Sequence, residues 1–204
     1  METAEQHPDV VIDADPAVWL RGPTLDAAND ARSEWIAAAM YAIATDFDLE
    51  NARGGADYRE YVHQVLTVFA KWQPAAAAVT LLRFRFLGDA PVPVTLELYT
   101  AAEAAEISST HGIDFTESNL EEDALATAGE ISREMIDGTE WERLVFWVTA
   151  EDGRIASRVR YVRTYPSTGV VMILRFSAGD PDRTIDMLAD TDDLVRAITV
   201  GGQP

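Results

Sequence analysis

Between Thr24 and Trp72 the apolar residues recur every three or four positions; from Val79 to Ser177 they mostly alternate with polar ones. The first pattern belongs to helices buried on one face, the second to half-buried strands. The spacing predicts a long helix over Thr24–Leu49, with Leu25, Ala28, Trp35, Ile36, Ala39, Met40, Ile43 and Phe47 on one face. Gly22 and Pro23 break the chain before it, and Thr24 can cap its first amides. Asp26, Asp30 and Glu34 suit the positive end of the helix dipole. A second helix is predicted over Asp57–Trp72 from Tyr58, Tyr61, Val62, Val65, Leu66, Phe69 and Trp72, with Pro74 stopping it. Asn51, Gly54 and Gly55 form a flexible loop, and two amphipathic helices around a short loop make an antiparallel hairpin.

Strands are predicted over Val79–Leu87 and Val92–Tyr99, joined by a turn at Gly88–Pro91. Residues 100–128 are polar, acidic and rich in alanine, with a break at His111–Gly112 and room for a short helix around Ser118–Ala128. A meander follows: Ile131–Ile136, Glu142–Ala150, Arg154–Tyr165 and Val170–Ser177. Its turns are Asp137–Gly138, Glu151–Asp152–Gly153 and Pro166–Gly169. Asp-Gly between alternating runs marks a hairpin, because glycine accepts positive φ without a clash. A last helix is expected from Pro181 to Val200. Consecutive strands on short turns form a mainly antiparallel sheet. The expected class is therefore α+β, with about six strands, an N-terminal helical hairpin and a C-terminal helix packed on the sheet. Residues 1–16 read as an acidic flexible tail, although Val10–Ile12 could form a short edge strand. Residues 17–200 read as a single domain, with the hairpin in 17–75 and the sheet and last helix in 76–200.

Charge changes this picture more than composition does. The formal net charge is −19 over 204 residues. Such an excess of acid repels phosphates and anionic membrane surfaces, so neither direct nucleic-acid binding nor membrane binding is expected. Nine of the sixteen basic residues nevertheless fall in or beside predicted strands: Arg83, Arg85, Arg133, Arg143, Arg154, Arg158, Arg160, Arg163 and Arg175. An arginine fork suits carboxylates and phosphates alike. Salt bridging within the fold is the first expectation for these side chains; an anion-binding face is the second. The acids cluster at Glu121–Asp123 and along Asp180, Asp182, Asp186, Asp190, Asp192 and Asp193. The second group follows helical spacing and forms either a solvated face or a docking surface for a basic partner. The candidate interaction surface is accordingly Arg154, Arg158, Arg160 and Arg163 with Asp182, Asp186, Asp190 and Asp193.

Catalytic signatures are missing from the pattern. With no cysteine, thiolate chemistry, disulfides and cysteine-ligated metals are excluded. His7, His63 and His111 have no metal-ligand partner at useful spacing, and neither acid cluster has the form of a calcium loop. No nucleophile elbow, phosphate loop or dinucleotide-binding glycine pattern occurs. Neither a catalytic residue, a cofactor nor a metal is expected, and the chain reads as a non-enzyme. The N-terminal segment has acids where a secretory signal has a basic start, so a cytoplasmic location is expected.

The stretch RIASRVRYVRTYPSTGVVMILRFSAGDPDRTIDMLADTDDLVRAITV, with PVPVTLELYT upstream, resembles a group of actinobacterial proteins with a PsbP-like α/β/α fold. The resemblance covers about residues 79–200 and carries no functional residue across. It implies non-catalytic binding or assembly, and for some actinobacterial relatives an association with type VII secretion. The chain departs from secreted relatives in having no lipobox cysteine, and its hairpin lacks the Trp-x-Gly turn of type VII substrates. Tyr99 and Glu103 fit a Tyr-x-x-x-acid export pattern only by letter, since Tyr99 ends a predicted strand. The function expected is a protein-interaction module of accessory, chaperone-like or immunity type that meets a protein partner, a basic one if the acidic surface is used. A small-ligand or anion-binding domain built on the strand arginines is the alternative, and an acidic nucleic-acid mimic the third reading.

Overall fold

Two glycines decide how the helical hairpin closes. Gly54 sits at φ +78°, and a Cβ on Gly55 would come within 1.9 Å of the Leu49 carbonyl oxygen. The second helix can therefore start against Leu49 only because both positions lack side chains. The computed structural model describes residues 10–85, 88, 90–111, 130–136, 139–149, 153–179 and 181–200, with no side-chain detail at 107–111, 130–136, 139–140, 148–149 and 181. In chain order its elements are β1 (Val10–Ile12), β2 (Trp19–Arg21), α1 (Asn29–Asp46), α2 (Gly55–Lys71), β3 (Ala77–Arg83), β4 (Val92–Thr100) and α3 (Ala101–His111). They continue with β5 (Glu130–Ile136), β6 (Thr139–Thr149), β7 (Ile155–Tyr165), β8 (Val170–Ala178), α4 (Pro181–Arg196) and β9 (Ile198–Val200).

The chain forms two compact units, Asp15–Thr95 and Met1–Ala14 with Leu96–Pro204. In the first, strands β2, β3 and the start of β4 lie side by side in that order. Ala39 and Ile43 of α1 and Val62, Leu66 and Phe69 of α2 bury against Leu82 and Phe84. Trp35, early in α1, stands 5.8 Å from Phe69, late in α2, as an antiparallel hairpin requires.

In the second unit the rest of β4 is followed across the sheet by β8, β7, β6 and β5. β1 and β9 form a separate two-stranded ladder, Val10 opposite Val200. Side chains alternate between the faces of a strand. On one face of β7 and β8, Val162, Val171 and Ile173 pack against Ala104 of α3 and Tyr99. On the other, Tyr161 and Ser157 bond to Asp192 and Thr184 of α4. All the described strand pairings are antiparallel. The class is α+β as expected, with β3 to β8 supplying the six main strands, a helix pair before them and a helix after them.

Three boundaries and one helix depart most from the sequence reading. α1 begins at Asn29, because Thr24 closes a turn to the Ala27 N–H and the Leu25 carbonyl accepts from Arg32. β3 stops at Arg83, four residues early. α4 stops at Arg196, since Ile198–Val200 finds a strand partner in Val10–Ile12. α3 was not expected at all, and the short helix expected around Ser118–Ala128 lies outside the described residues.

Candidate binding surfaces

The strand arginines are largely occupied by the fold. Arg160 is only 1% exposed, with its guanidinium 5.7 Å above the Phe146 ring, so it does not belong to an exposed face. Opposite it on β8 stands Arg175. Two like charges in register repel, and Glu97 of β4 offsets this, its carboxylate 3.1 Å from Arg175. Glu97 also accepts a hydrogen bond from the Tyr99 hydroxyl at 2.9 Å. Burial, then the Glu97 charge, raises the Tyr99 phenol to about 12. Arg143 of β6 meets Asp192 of α4 at 3.0 Å, and the Tyr161 hydroxyl donates to the same carboxylate. Burial foremost, and then Asp192, push the Tyr161 phenol far above its ordinary range.

Of the other expected surface residues, Arg154 is exposed and Arg158 half-buried. The half-buried Arg163 lies 4.2 Å over the Tyr165 ring and 5.5 Å over Trp141, a cation–π stack. Asp182, Asp186 and Asp193 are exposed on α4 and Asp190 is half-buried; Asp193 pairs with Arg196 at 2.7 Å. Arginines and aspartates thus share no single surface through Arg160. His63 is exposed on α2, where its carbonyl accepts from Thr67. His111 ends α3, and His7 and the Glu121–Asp123 cluster lie outside the described residues. Among the described residues no three histidine, aspartate or glutamate side chains come together to hold a metal, and no helix is long and apolar enough to cross a membrane.

What sequence reasoning missed is an open apolar groove of about 410 Å³ in Asp15–Thr95. α2 forms one wall through Tyr61, Val65, Val68 and Trp72; Leu82, Pro91 and Pro93 form the other. Val68 is 71% exposed, Tyr61 40% and Trp72 36%. Only the Gln64 amide, the Tyr61 hydroxyl and the Trp72 indole N–H offer polar partners among the lining side chains. The signal was present: Tyr61, Val65, Val68 and Trp72 are spaced 4-3-4, beside the buried row of Val62, Leu66 and Phe69. One helix with two apolar rows has more than its own core uses. A second cavity, about 530 Å³, opens between α1 and the loop after it, with Tyr41, Asp48, Glu50 and Arg59 on its walls. Its Arg59–Glu50 pair, 3.8 Å apart and exposed, already matches one charge with another.

No family model matches the chain, and no curated protein does. Among solved structures the chain is similar to LpqN, involved in cell envelope biogenesis of Mycobacterium tuberculosis, at 11% identity and a TM-score of 0.48, over 98% of this chain and 88% of that one. It is similar to the cyanobacterial PsbP of Synechocystis at 16% identity and a TM-score of 0.38, over 64% of this chain and 78% of that one. A protein from Bacteroides thetaiotaomicron aligns at 8% identity and a TM-score of 0.35, over 61% of this chain and 39% of that one. The first two are an actinobacterial protein and a PsbP, the kinds that the sequence resemblance names.

Proposed function

We propose that the chain is a non-catalytic protein-interaction module whose contact site is the apolar groove along α2. The observation that supports this is the row Tyr61, Val65, Val68 and Trp72, left partly or largely in solvent beside a helix face that already fills its own core. Apolar groups with few polar neighbours gain about 25 cal/mol for each Å² removed from water, and contiguous exposed patches mark contact sites. The strand arginines support the anion-binding alternative less well, because Arg143 and Arg175 face carboxylates and Arg160 is buried.

A photo-crosslinking residue in place of Gln64, which also lines the groove, in the chain expressed in its native host, tests the proposal. A single stoichiometric partner is expected, still captured at high salt and lost in Val68→Asp. Capture that survives Val68→Asp but dissolves in salt would move the contact to the acidic face of α4, because screening weakens charge pairs and leaves apolar contact intact.

A further inference from the structure

Resting on that reading, we infer that the groove's occupant is an amphipathic α-helix of the partner, running antiparallel to α2. Its acidic N-terminal end lies beside Lys71 and its basic C-terminal end beside Asp57 and Glu60. Three observations lead there. The first is the poverty of polar groups in the groove: the Gln64 amide, the Tyr61 hydroxyl and the Trp72 indole N–H are the only ones the lining side chains supply. An extended segment would bring unpaired N–H and C=O groups into apolar surroundings, and each would weaken binding. A helix satisfies its backbone internally.

The second is spacing. Tyr61, Val65, Val68 and Trp72 follow the 4-3-4 rhythm of a helix–helix seam and span about 16 Å, the length of three turns. The third is charge. Asp57 and Glu60 are exposed at the start of α2 and Lys71 at its end. A helix favours acids at its own N-terminus and bases at its C-terminus. Only the antiparallel direction lets a partner satisfy that preference and the charges of α2 together.

Three fluorescein-labelled synthetic peptides of fourteen or so residues, titrated against the full chain by anisotropy, decide the matter. One is a stapled helix with leucines at 3-4 spacing, glutamates at its N-terminal end and lysines at its C-terminal end. The next has those charges exchanged. The last carries the first composition with two central prolines and cannot be helical. The first should bind about threefold or more tighter than the second in low salt, as rim ion pairs of this kind allow. The order should invert in the Glu60→Lys/Lys71→Glu variant, and the proline peptide should bind worst. Equal binding of the proline peptide, an order indifferent to charge, or no binding by either helix overturns the helical occupant. If binding is then still lost in Val68→Asp, the groove remains the contact site. Binding that persists in Val68→Asp removes the groove as well.

Discussion

A single carboxylate, Asp192, ties α4 to the sheet, because it receives both the Arg143 guanidinium and the Tyr161 hydroxyl. Asp192→Ala removes the carboxylate that the Arg143 cation and the Tyr161 phenol share, in a site largely closed to water. Destabilisation of about 3 kcal/mol is expected, read as a lower urea midpoint, and Asp192→Asn should cost less because the amide oxygen still accepts. An unchanged midpoint in the alanine variant would mean that the pair adds nothing to the docking of α4. The phenols give a second residue-level expectation. Tyr99, Tyr161 and Tyr165 are all raised, first of all by burial. For Tyr99, raised to about 12, the folded state holds its proton more tightly than the unfolded state does. Its contribution is therefore complete below the ordinary phenol value of about 10 and is lost as pH climbs from there towards 12. Ultraviolet titration should show a phenolate step that arrives only above pH 10, coincides with loss of the near-ultraviolet dichroism, and shrinks when the three residues are changed to phenylalanine.

At the scale of elements, local chemistry sets the boundaries and long-range partners override propensity. α3 opens with a capping box: the Glu103 N–H donates to the Thr100 hydroxyl, and the Thr100 N–H donates to the Glu103 carboxylate. Thr-Ala-Ala-Glu spells this reciprocal cap in the sequence. The helix escaped the sequence reading because its alanines give no clear apolar period. Thr100→Ala should cost about 1 kcal/mol and speed amide exchange at Ala102–Glu106 first. The glycine pair before α2 shows the opposite case. Gly54 could be read as a loop residue from sequence, but not the approach of Gly55 to the Leu49 carbonyl, which depends on where the chain has travelled. Gly54→Ala should cost about 1 kcal/mol for its left-handed φ. Gly55→Ala should cost more, about 1–3 kcal/mol, because backbone must move; thermal melting of the two variants gives the order directly. In the same way the helical period of α2 was legible in full, whereas the fate of its second apolar row was not. Tyr61 and Val65 look like core in a list of spacings. Only the position of β3 and the start of β4 leaves Val68 and Trp72 in the open.

Across the whole molecule, the excess of charge and the apolar groove fall in different units. Asp15–Thr95, which carries the groove, has ten acids and seven bases; Met1–Ala14 with Leu96–Pro204 has twenty-five acids and nine bases. The second unit therefore stores most of the self-repulsion that a net charge of −19 implies. Several of its bases are committed one to one, Arg143 to Asp192, Arg175 to Glu97 and Arg196 to Asp193, so they leave the surplus of acid unbalanced. Raising salt from about 0.01 M to about 1 M shortens the screening length from about 30 Å to about 3 Å. That should relieve the repulsion and leave apolar packing in place. Hydrogen exchange in mild denaturant should then show β7 and β8 gaining protection with salt, while α2 and β3, inside the nearly neutral unit, change little. The same near-neutrality means that a partner seated in the groove, as proposed, should be weakened little by salt. Equal gains in protection in both units would show that the acids act on the chain as a whole, and the separation of a charged unit from the unit that carries the groove would lose its physical basis.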